Sequence, residues 1–277
     1  MKALLRKKRN HISKLKNEEG SWMTEHAALA THARDFFSGP FSLADTSFVP
    51  LSTRGAFPAI ALHHLLALDR TVTLEEIKLS LFDMKPLKSL GVDGIHTIFY
   101  QSQWGVVGPS ILAFIQRIWS GSPLPQSLNH TLIALIPEIS SPCNIRDFCP
   151  ISLCSVLYKI LSKTIANRLK PILPDLISQY QTSFIHGRSI TDNIIIAQEV
   201  IHSMQGKKGK SGWMAIKVNL EKAFDRLRWD FIEDTLRDSG LPNSLVALIM
   251  SCITSTSMQV LWNGRPTESF NPQRGLR

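Results

Sequence analysis

The chain has 277 residues, 44% apolar and 19% charged, an ordinary globular composition long enough for one or two domains and a real core, which excludes wholesale disorder. Thirty-one Lys and Arg against 22 Asp and Glu leave a formal charge of +9, which favours a polyanionic partner without establishing one. Four cysteines without a C-x-x-C pair exclude a zinc ribbon, and a longest apolar stretch of only Leu245–Ile253 excludes a membrane helix, so the expectation is a soluble chain of a reduced intracellular compartment, nuclear or cytoplasmic.

Residues 1–18 gather Lys2, Arg6, Lys7, Lys8, Arg9, Lys14 and Lys16 on a weak helical pattern with Leu5, Ile12 and Leu15. A solvated basic helix and a phosphate-tracking arm both fit it, and with no apolar h-region behind the basic run it is not a secretory leader. Thr24–Phe37 reads as a short helix, and Ser38–Pro58, rich in Gly, Pro, Ser and Thr without a period, as a linker. Residues 1–72 are therefore expected to be a basic N-terminal segment and linker. A helix starts at Thr73, where Glu76 stands at capping-box spacing and Val72 and Ile77 form a hydrophobic staple, with Leu74, Ile77 and Leu81 as its buried stripe.

A helix through Ile95–Trp119 is next, and Gly121-Ser122-Pro123-Leu124-Pro125 breaks the chain before a fully apolar strand, Thr131–Ile136, ended by Pro137. Val156–Leu169 is an amphipathic helix with Leu157, Ile160, Leu161, Ile165 and Leu169 on one side and Lys159, Lys163 and Lys170 on another. That basic face is either solvated or laid along a phosphate backbone. Ile194–Met204 is helical, and Gly206–Ser211 is a flexible basic loop.

Polar groups collect where the next two elements meet. Met214, Ile216 and Val218 alternate with Ala215, Lys217 and Asn219, the period of a strand buried on one face, and Glu221 to Trp229 then takes a helical spacing with Ala223, Phe224 and Leu227 on one side. Asn219, at the strand's end, is expected to point into the cleft this junction frames. Asp225, inside the helix, is expected to pair with Arg226 or Arg228 or to face solvent, and Glu221 to complement the helix dipole. Asp230 and Glu233 have capping-box spacing, and Gly240 followed by Pro242 closes that helix. Asn243–Ile253 is an apolar helix, and Met258–Trp262, Asn263-Gly264 and Glu268–Phe270 read as a type I′ hairpin.

The run Lys217-Val218-Asn219-Leu220-Glu221-Lys222-Ala223-Phe224-Asp225-Arg226, with Trp229 after it, resembles the first catalytic motif of reverse transcriptases of non-LTR (LINE-type) retrotransposons, closest to the plant-genome forms. Three earlier stretches carry the same resemblance in the same order: Lys85-Pro86-Leu87-Lys88-Ser89-Leu90-Gly91-Val92-Asp93-Gly94, Asp147-Phe148-Cys149-Pro150-Ile151-Ser152-Leu153-Cys154, and Gln181–Asn193 with Phe184, Gly187, Arg188, Asp192 and Asn193 in place. Gln273-Arg274-Gly275-Leu276-Arg277 is similar to the start of the motif that follows. This sequence departs from the family at Leu90 and Val92, where the family has prolines, at Glu138 for a lysine, at Cys149 for an arginine, and at Asn219 for the metal-binding aspartate.

The resemblance implies an α+β, right-hand polymerase fold, with fingers over residues 73–210, an incomplete palm over 211–277 and no thumb. It implies an RNA template, a DNA primer and deoxynucleotides as partners, no other small-molecule substrate and no membrane. It places Phe224 and Lys217 on the nucleotide, and Arg188, Lys159 and Lys163 on nucleic acid, with a surface ion pair to Asp192 the other reading of Arg188 and a core position the other reading of Phe224. In the family two Mg2+ ions are held by carboxylates from two neighbouring strands. A neutral amide at Asn219 forgoes roughly 4 kcal/mol at 4 Å and an effective dielectric of 20, on the order of a thousandfold in rate. The expectation is therefore a fragment that binds no metal and is catalytically inactive, not rescued by Asn219→Asp alone. The alternative is a non-catalytic RNA- or DNA-binding module derived from the enzyme. A third expectation is a marginally stable chain with an exposed strand edge at the Met258–Phe270 hairpin.

Overall fold

The structure, a computed structural model, describes residues 11–43, 55–207 and 212–276. The basic run before residue 11, the middle of the expected linker and most of the Lys-rich loop (208–211) lie outside the described residues. From the N-terminus the elements are β1 (Leu15–Lys16), β2 (Trp22–Met23), α1 (His26–Ser38), α2 (Leu62–Asp69), α3 (Leu74–Phe82), α4 (Thr97–Ser102) and α5 (Trp104–Trp119). There follow β3 (His130–Pro137), β4 (Phe148–Leu153), α6 (Val156–Leu169), α7 (Leu173–Leu176) and α8 (Ile190–Gly206). The last elements are α9 (Trp229–Asp238), α10 (Asn243–Thr254), β5 (Ser257–Trp262) and β6 (Arg265–Pro266).

The apolar run expected as a strand is the centre of the larger sheet, whose order is β4-β3-β5-β6. β3 is antiparallel to β4 and parallel to β5, with Ile133 opposite both Ser152 and Val260. Thr131, Ile133 and Leu135 alternate inwards along β3, as the two-residue period of a strand requires. The Asn263-Gly264 turn has both residues at positive φ, +49° and +86°, the I′ geometry that joins β5 to β6. The expected exposed edge at this hairpin is largely absent: β5 is paired on β3, and both outer strands, β4 and β6, carry a proline that blunts the edge.

Two cores hold the elements together. One is helical and gathers Val72, Ile77, Leu81, Ile115, Ile160 and Leu161, all 2% exposed or less. The capping box at Thr73 starts α3 as expected, with Glu76 N–H donating to Thr73 Oγ1 at 3.3 Å and Thr73 N–H to Glu76 Oε2 at 2.8 Å. The other core lies on one face of the sheet. Leu29, Ala33 and Phe37 of α1 pack there with Ile12, Leu15 and Phe41 against Ile133, Phe148, Val260 and Trp262. Asn263 also clips the hairpin tip to the N-terminal strand region, accepting from Ile12 N–H and donating to Ile12 C=O, both at 2.8 Å. The helix at residues 26–38 is thus part of the sheet's own core.

The strand expected over Met214–Val218 does not form. Residues 212–220 carry no regular structure, and Met214, Ile216, Val218 and Leu220 are more than 70% exposed. An extended segment becomes a strand only when a neighbour takes its N–H and C=O groups, and no strand among the described residues does so. The helix expected from Glu221 is a turn instead, because Lys222 sits at φ +50°, and helix begins only at Trp229. The capping box at Asp230 also fails: Arg228 binds both carboxylate oxygens of Asp230, and Glu233 pairs with Arg237 one turn on. The helix expected through Ile95–Trp119 is broken at Gln103, whose ψ of 17° separates α4 from α5.

Candidate functional site

A cleft of about 920 Å³ opens where α1, β4 and the turn at residues 221–226 meet. β4 contributes Phe148, Pro150 and Ser152, successive residues of one face of the pleat. Cys149 falls on the other face, so its replacement of the family's arginine does not remove a charge from this cleft. Phe36, Phe37 and Phe41 supply the second wall, and Phe184, Phe224, Glu221, Lys222, Asp225 and Arg226 the third. Phe224 and Phe184 meet edge to face, 6.0 Å between centroids. The Lys222 ammonium lies 4.7 Å from the centroid of Phe36, a contact that ties the turn to α1.

The cleft is held shut from behind by residues 273–276, which fasten residues 40–43 to residues 224–229. Gln273 N–H donates to Phe41 C=O (2.9 Å), Leu43 N–H to the Gln273 side-chain oxygen (3.0 Å), and Arg274 Nε to Pro40 C=O (2.8 Å). On the other side Gly275 N–H donates to Leu227 C=O (2.6 Å), Leu276 N–H to Phe224 C=O (2.8 Å), and Trp229 Nε1 to Gly275 C=O (2.9 Å). Outside the Asn-Gly turn, the non-glycine residues at positive φ among those described are Phe184 (+66°) and Lys222 (+50°), and both line the cleft. Backbone strain of this kind persists only where surrounding contacts over-determine it.

The electrostatics favour anions. Arg146, Lys222, Arg226 and Arg274 line the cleft against Glu221 and Asp225. Glu221 pairs only loosely with Arg226, at 3.9 Å with both side chains more than half exposed. Burial pushes the Asp225 carboxyl above its ordinary pKa, and Lys222 offsets this only in part.

The residues expected from sequence are placed differently. Phe224 lines the cleft, as does Asp225, which does not pair with Arg226 or Arg228 in the ways expected. Asn219 and Lys217 are exposed on the extended segment and are not among the cleft-lining residues. Lys159 donates to Ser89 C=O at 3.0 Å, and burial lowers its pKa, aided by the charge of Lys88. Lys163 is 2.6 Å from Asp83, whose carboxyl its hydrogen bond holds below the ordinary range. Arg188 gives its guanidinium to four main-chain carbonyls, those of Pro174, Ile177, Ser178 and Gln181. It pins the loop from α7 to α8, and neither the expected exposure to a template nor an ion pair with Asp192 is what the geometry shows. Arg188→Ala should therefore leave the salt dependence of nucleic-acid binding unchanged and open residues 174–188 to limited proteolysis, at a cost of roughly 1–3 kcal/mol for the lost charge-assisted bonds.

Sequence reasoning missed Arg146, Arg274, Phe36 and Phe41. Arg146 stands just before a quoted motif and was recoverable from it. The aromatic pair at 36–37 had no such marker, because only the chain's long-range pairing brings it to the cleft.

A divalent ion of the kind this chemistry uses needs several hard oxygen ligands, carboxylates among them. Position 219 offers a neutral amide, Glu221 and Asp225 are the cleft's only acidic lining residues, and no three His, Cys, Asp or Glu side chains come together among the described residues. The residues present do not fit a magnesium pair.

Residues 142–277 match the family model described as reverse transcriptase (RNA-dependent DNA polymerase). Over 283 aligned residues, 99% of this chain, it is 28% identical to the Transposon TX1 uncharacterized 149 kDa protein of Xenopus laevis, of which it covers 21%. Over 160 residues, 58% of this chain, it is 29% identical to the Retrovirus-related Pol polyprotein from type-2 retrotransposable element R2DM of Drosophila melanogaster, of which it covers 15%. The chain spans about a fifth or less of the length of these relatives. Reverse transcriptases bind an RNA template and a DNA primer and use a divalent metal, Mg2+, and no helix among the described residues is long and apolar enough to cross a membrane. The chain is thus similar over residues 142–277 to reverse transcriptases and over most of its length to a protein of the transposon TX1, and its mixed sheet and helices are consistent with a reverse transcriptase domain.

Proposed function

We propose that the chain comes from the RNA-directed DNA polymerase of a LINE-type retrotransposon, nearest the plant-genome forms in the wording of its motifs, and that it grips nucleic acid without extending a primer. In this reading residues 73–210 correspond to the fingers and 211–277 to part of the palm of a right-hand polymerase. The observation that carries it is the charge set of the cleft: Arg146, Lys222, Arg226 and Arg274 face it, while the position that holds metal in the family is an amide, Asn219, outside it. Cations of this number suit phosphates, and a lone raised-pKa carboxyl beside Lys222 does not suit two dications.

Primer extension on an RNA template, with Mg2+ and all four deoxynucleotides, should stay at blank for the chain and for Asn219→Asp, because that change adds one carboxylate to a site that gathers no others. Incorporation by either protein would overturn the catalytic half of the proposal. Binding of a template–primer should fall linearly with the logarithm of salt, and Lys222→Ala with Arg274→Ala should lower the slope by about 0.7–0.9 per phosphate contact removed. A flat salt dependence would overturn the binding half.

A further inference from the structure

We propose that a cavity behind the cleft binds a small, neutral aromatic molecule, and that such a ligand stiffens the residues that set the cleft's third wall. The cavity, of about 210 Å³, lies where α6, α9, α10 and β5 meet residues 272–276. Met258 and Leu276 line both it and the cleft, so these two side chains border both spaces. It sits on the seam between the two cores: Cys252 belongs to the helical one, with Tyr158, Trp229 and Ile253 packed on it, and Met258 to that of the sheet.

The lining sets the chemistry of the ligand. Among the described residues no charged side chain lines the cavity, so an ion brought here would lose its hydration without a counter-charge. The rings of Tyr158 and Trp229 supply aromatic walls, and their polar tips are engaged on the backbone. Tyr158 Oη donates to Cys252 C=O at 3.1 Å and Trp229 Nε1 to Gly275 C=O at 2.9 Å. Thr256 differs: it lines the cavity at 6% exposure, and its hydroxyl makes no hydrogen bond to any described residue. A buried hydroxyl ordinarily has a partner, so this one marks the place of a single polar ligand atom. An apolar cavity of about 150 Å³ takes benzene, and drug-sized ligands occupy about 300 Å³ or more, so this one fits one ring or two fused rings. The occupant is therefore a planar molecule with one hydrogen-bonding group, of the class of indole.

The same lining connects the cavity to the cleft. Gly275, which accepts from Trp229, donates its N–H to Leu227 C=O at 2.6 Å, and Leu276 N–H donates to Phe224 C=O at 2.8 Å. A ligand packed on Trp229, Gly275 and Leu276 adds contacts on their cavity side and opposes local opening of these bonds.

The test uses indole and the 277-residue chain without nucleic acid, so it is independent of the reading of the cleft. Indole should raise Tm with concentration and slow hydrogen exchange at the Gly275 and Leu276 amides. Thr256→Val keeps the shape and removes the hydroxyl. By isothermal titration calorimetry it should bind indole roughly fivefold more weakly, while indene, which has no N–H, should bind it and the parent equally. Thr256→Phe fills the cavity and should abolish binding of both molecules. A melt of Thr256→Val matching the parent's, as expected for loss of an unpaired hydroxyl, shows that this variant folds, and it decides the matter alone if Thr256→Phe does not fold. Failure of indole to raise Tm would overturn the proposal. So would an indole affinity that Thr256→Val leaves unchanged, which would put the molecule in the larger cleft.

Discussion

Arg168→Ala should lower the stability of the chain by about 3–5 kcal/mol, the range for removing one partner of a buried ion pair. The Arg168 side chain is 6% exposed. Its Nε and Nη2 bind the Glu76 carboxylate at 2.8 and 3.0 Å. The remaining N–H bonds go to the carbonyls of Leu68, Arg70 and Thr71, and the guanidinium stacks on Trp119 at 4.5 Å. One side chain thus closes the turn from α2 to α3 and ties both to α6 and α5. Arg70 is 3.7 Å from Glu76 but 61% exposed, so it can replace only a little of what is lost. Arg168→Lys keeps the charge without the planar fork and should recover less than half of the loss. Urea midpoints of the three proteins, with m-values compared, measure this.

The same pair sets an acid limit. Burial pushes the Glu76 carboxyl up, but Arg168 and the Thr73 N–H and hydroxyl outweigh it and hold the pKa at about 2 against 4.5. A depressed carboxyl contributes stability that is complete above its unfolded pKa and is lost as pH falls through the folded one. Stability should therefore decline between about pH 4.5 and 2. The shift corresponds to about 3 kcal/mol at most, and about 2 kcal/mol after screening of a carboxylate partly open to water. Glu76→Gln should flatten that limb of the pH–stability curve, and an unchanged limb would show that other carboxylates govern it.

What the sequence made legible was local. The cap at Thr73, the span of α6, the stop at Gly240 and the Asn263-Gly264 turn depend on neighbours a few residues apart, and all appear where spacing placed them. The segment at 213–220 has equally clear alternation, yet a strand is a property of two segments, and no described partner pairs with it. The basic positions differ from expectation for a related reason. Lys159 and Lys163 read as one face of a helix, solvated or on a phosphate backbone, and Arg188 as facing template or paired with Asp192, but each meets an acceptor brought by folding: Ser89, Asp83 and the carbonyls of 174–181. Conversely Phe36 and Phe41, read as parts of a peripheral segment, reach the cleft because residues 273–276 fasten to Pro40 and Phe41 across more than 230 positions of sequence.

Gly275→Val should cost roughly 3–5 kcal/mol, the sum of left-handed backbone strain and overpacking, and should abolish binding in the cleft. Gly275 lies at φ +83°, and a Cβ there would sit 2.3 Å from Asp225 C=O and 2.8 Å from the ring of Phe41. The nearest of these neighbours is backbone, so relief requires moving the turn that carries Phe224 and Asp225. That motion breaks the bonds from Gly275 N–H to Leu227 and from Leu276 N–H to Phe224, which set the third wall of the cleft. Gly20→Val is the matched control: its φ is +84°, but a Cβ meets nothing within 4 Å, so it should show the backbone strain alone, about 1–2 kcal/mol. The two variants therefore share a conformational penalty and differ in whether the cleft wall moves. Urea midpoints should rank Gly275→Val below Gly20→Val, and a template–primer should bind Gly20→Val nearly as well as the parent and Gly275→Val not at all. Equal binding by both would mean that the clasp at 273–276 does not shape the surface that meets nucleic acid.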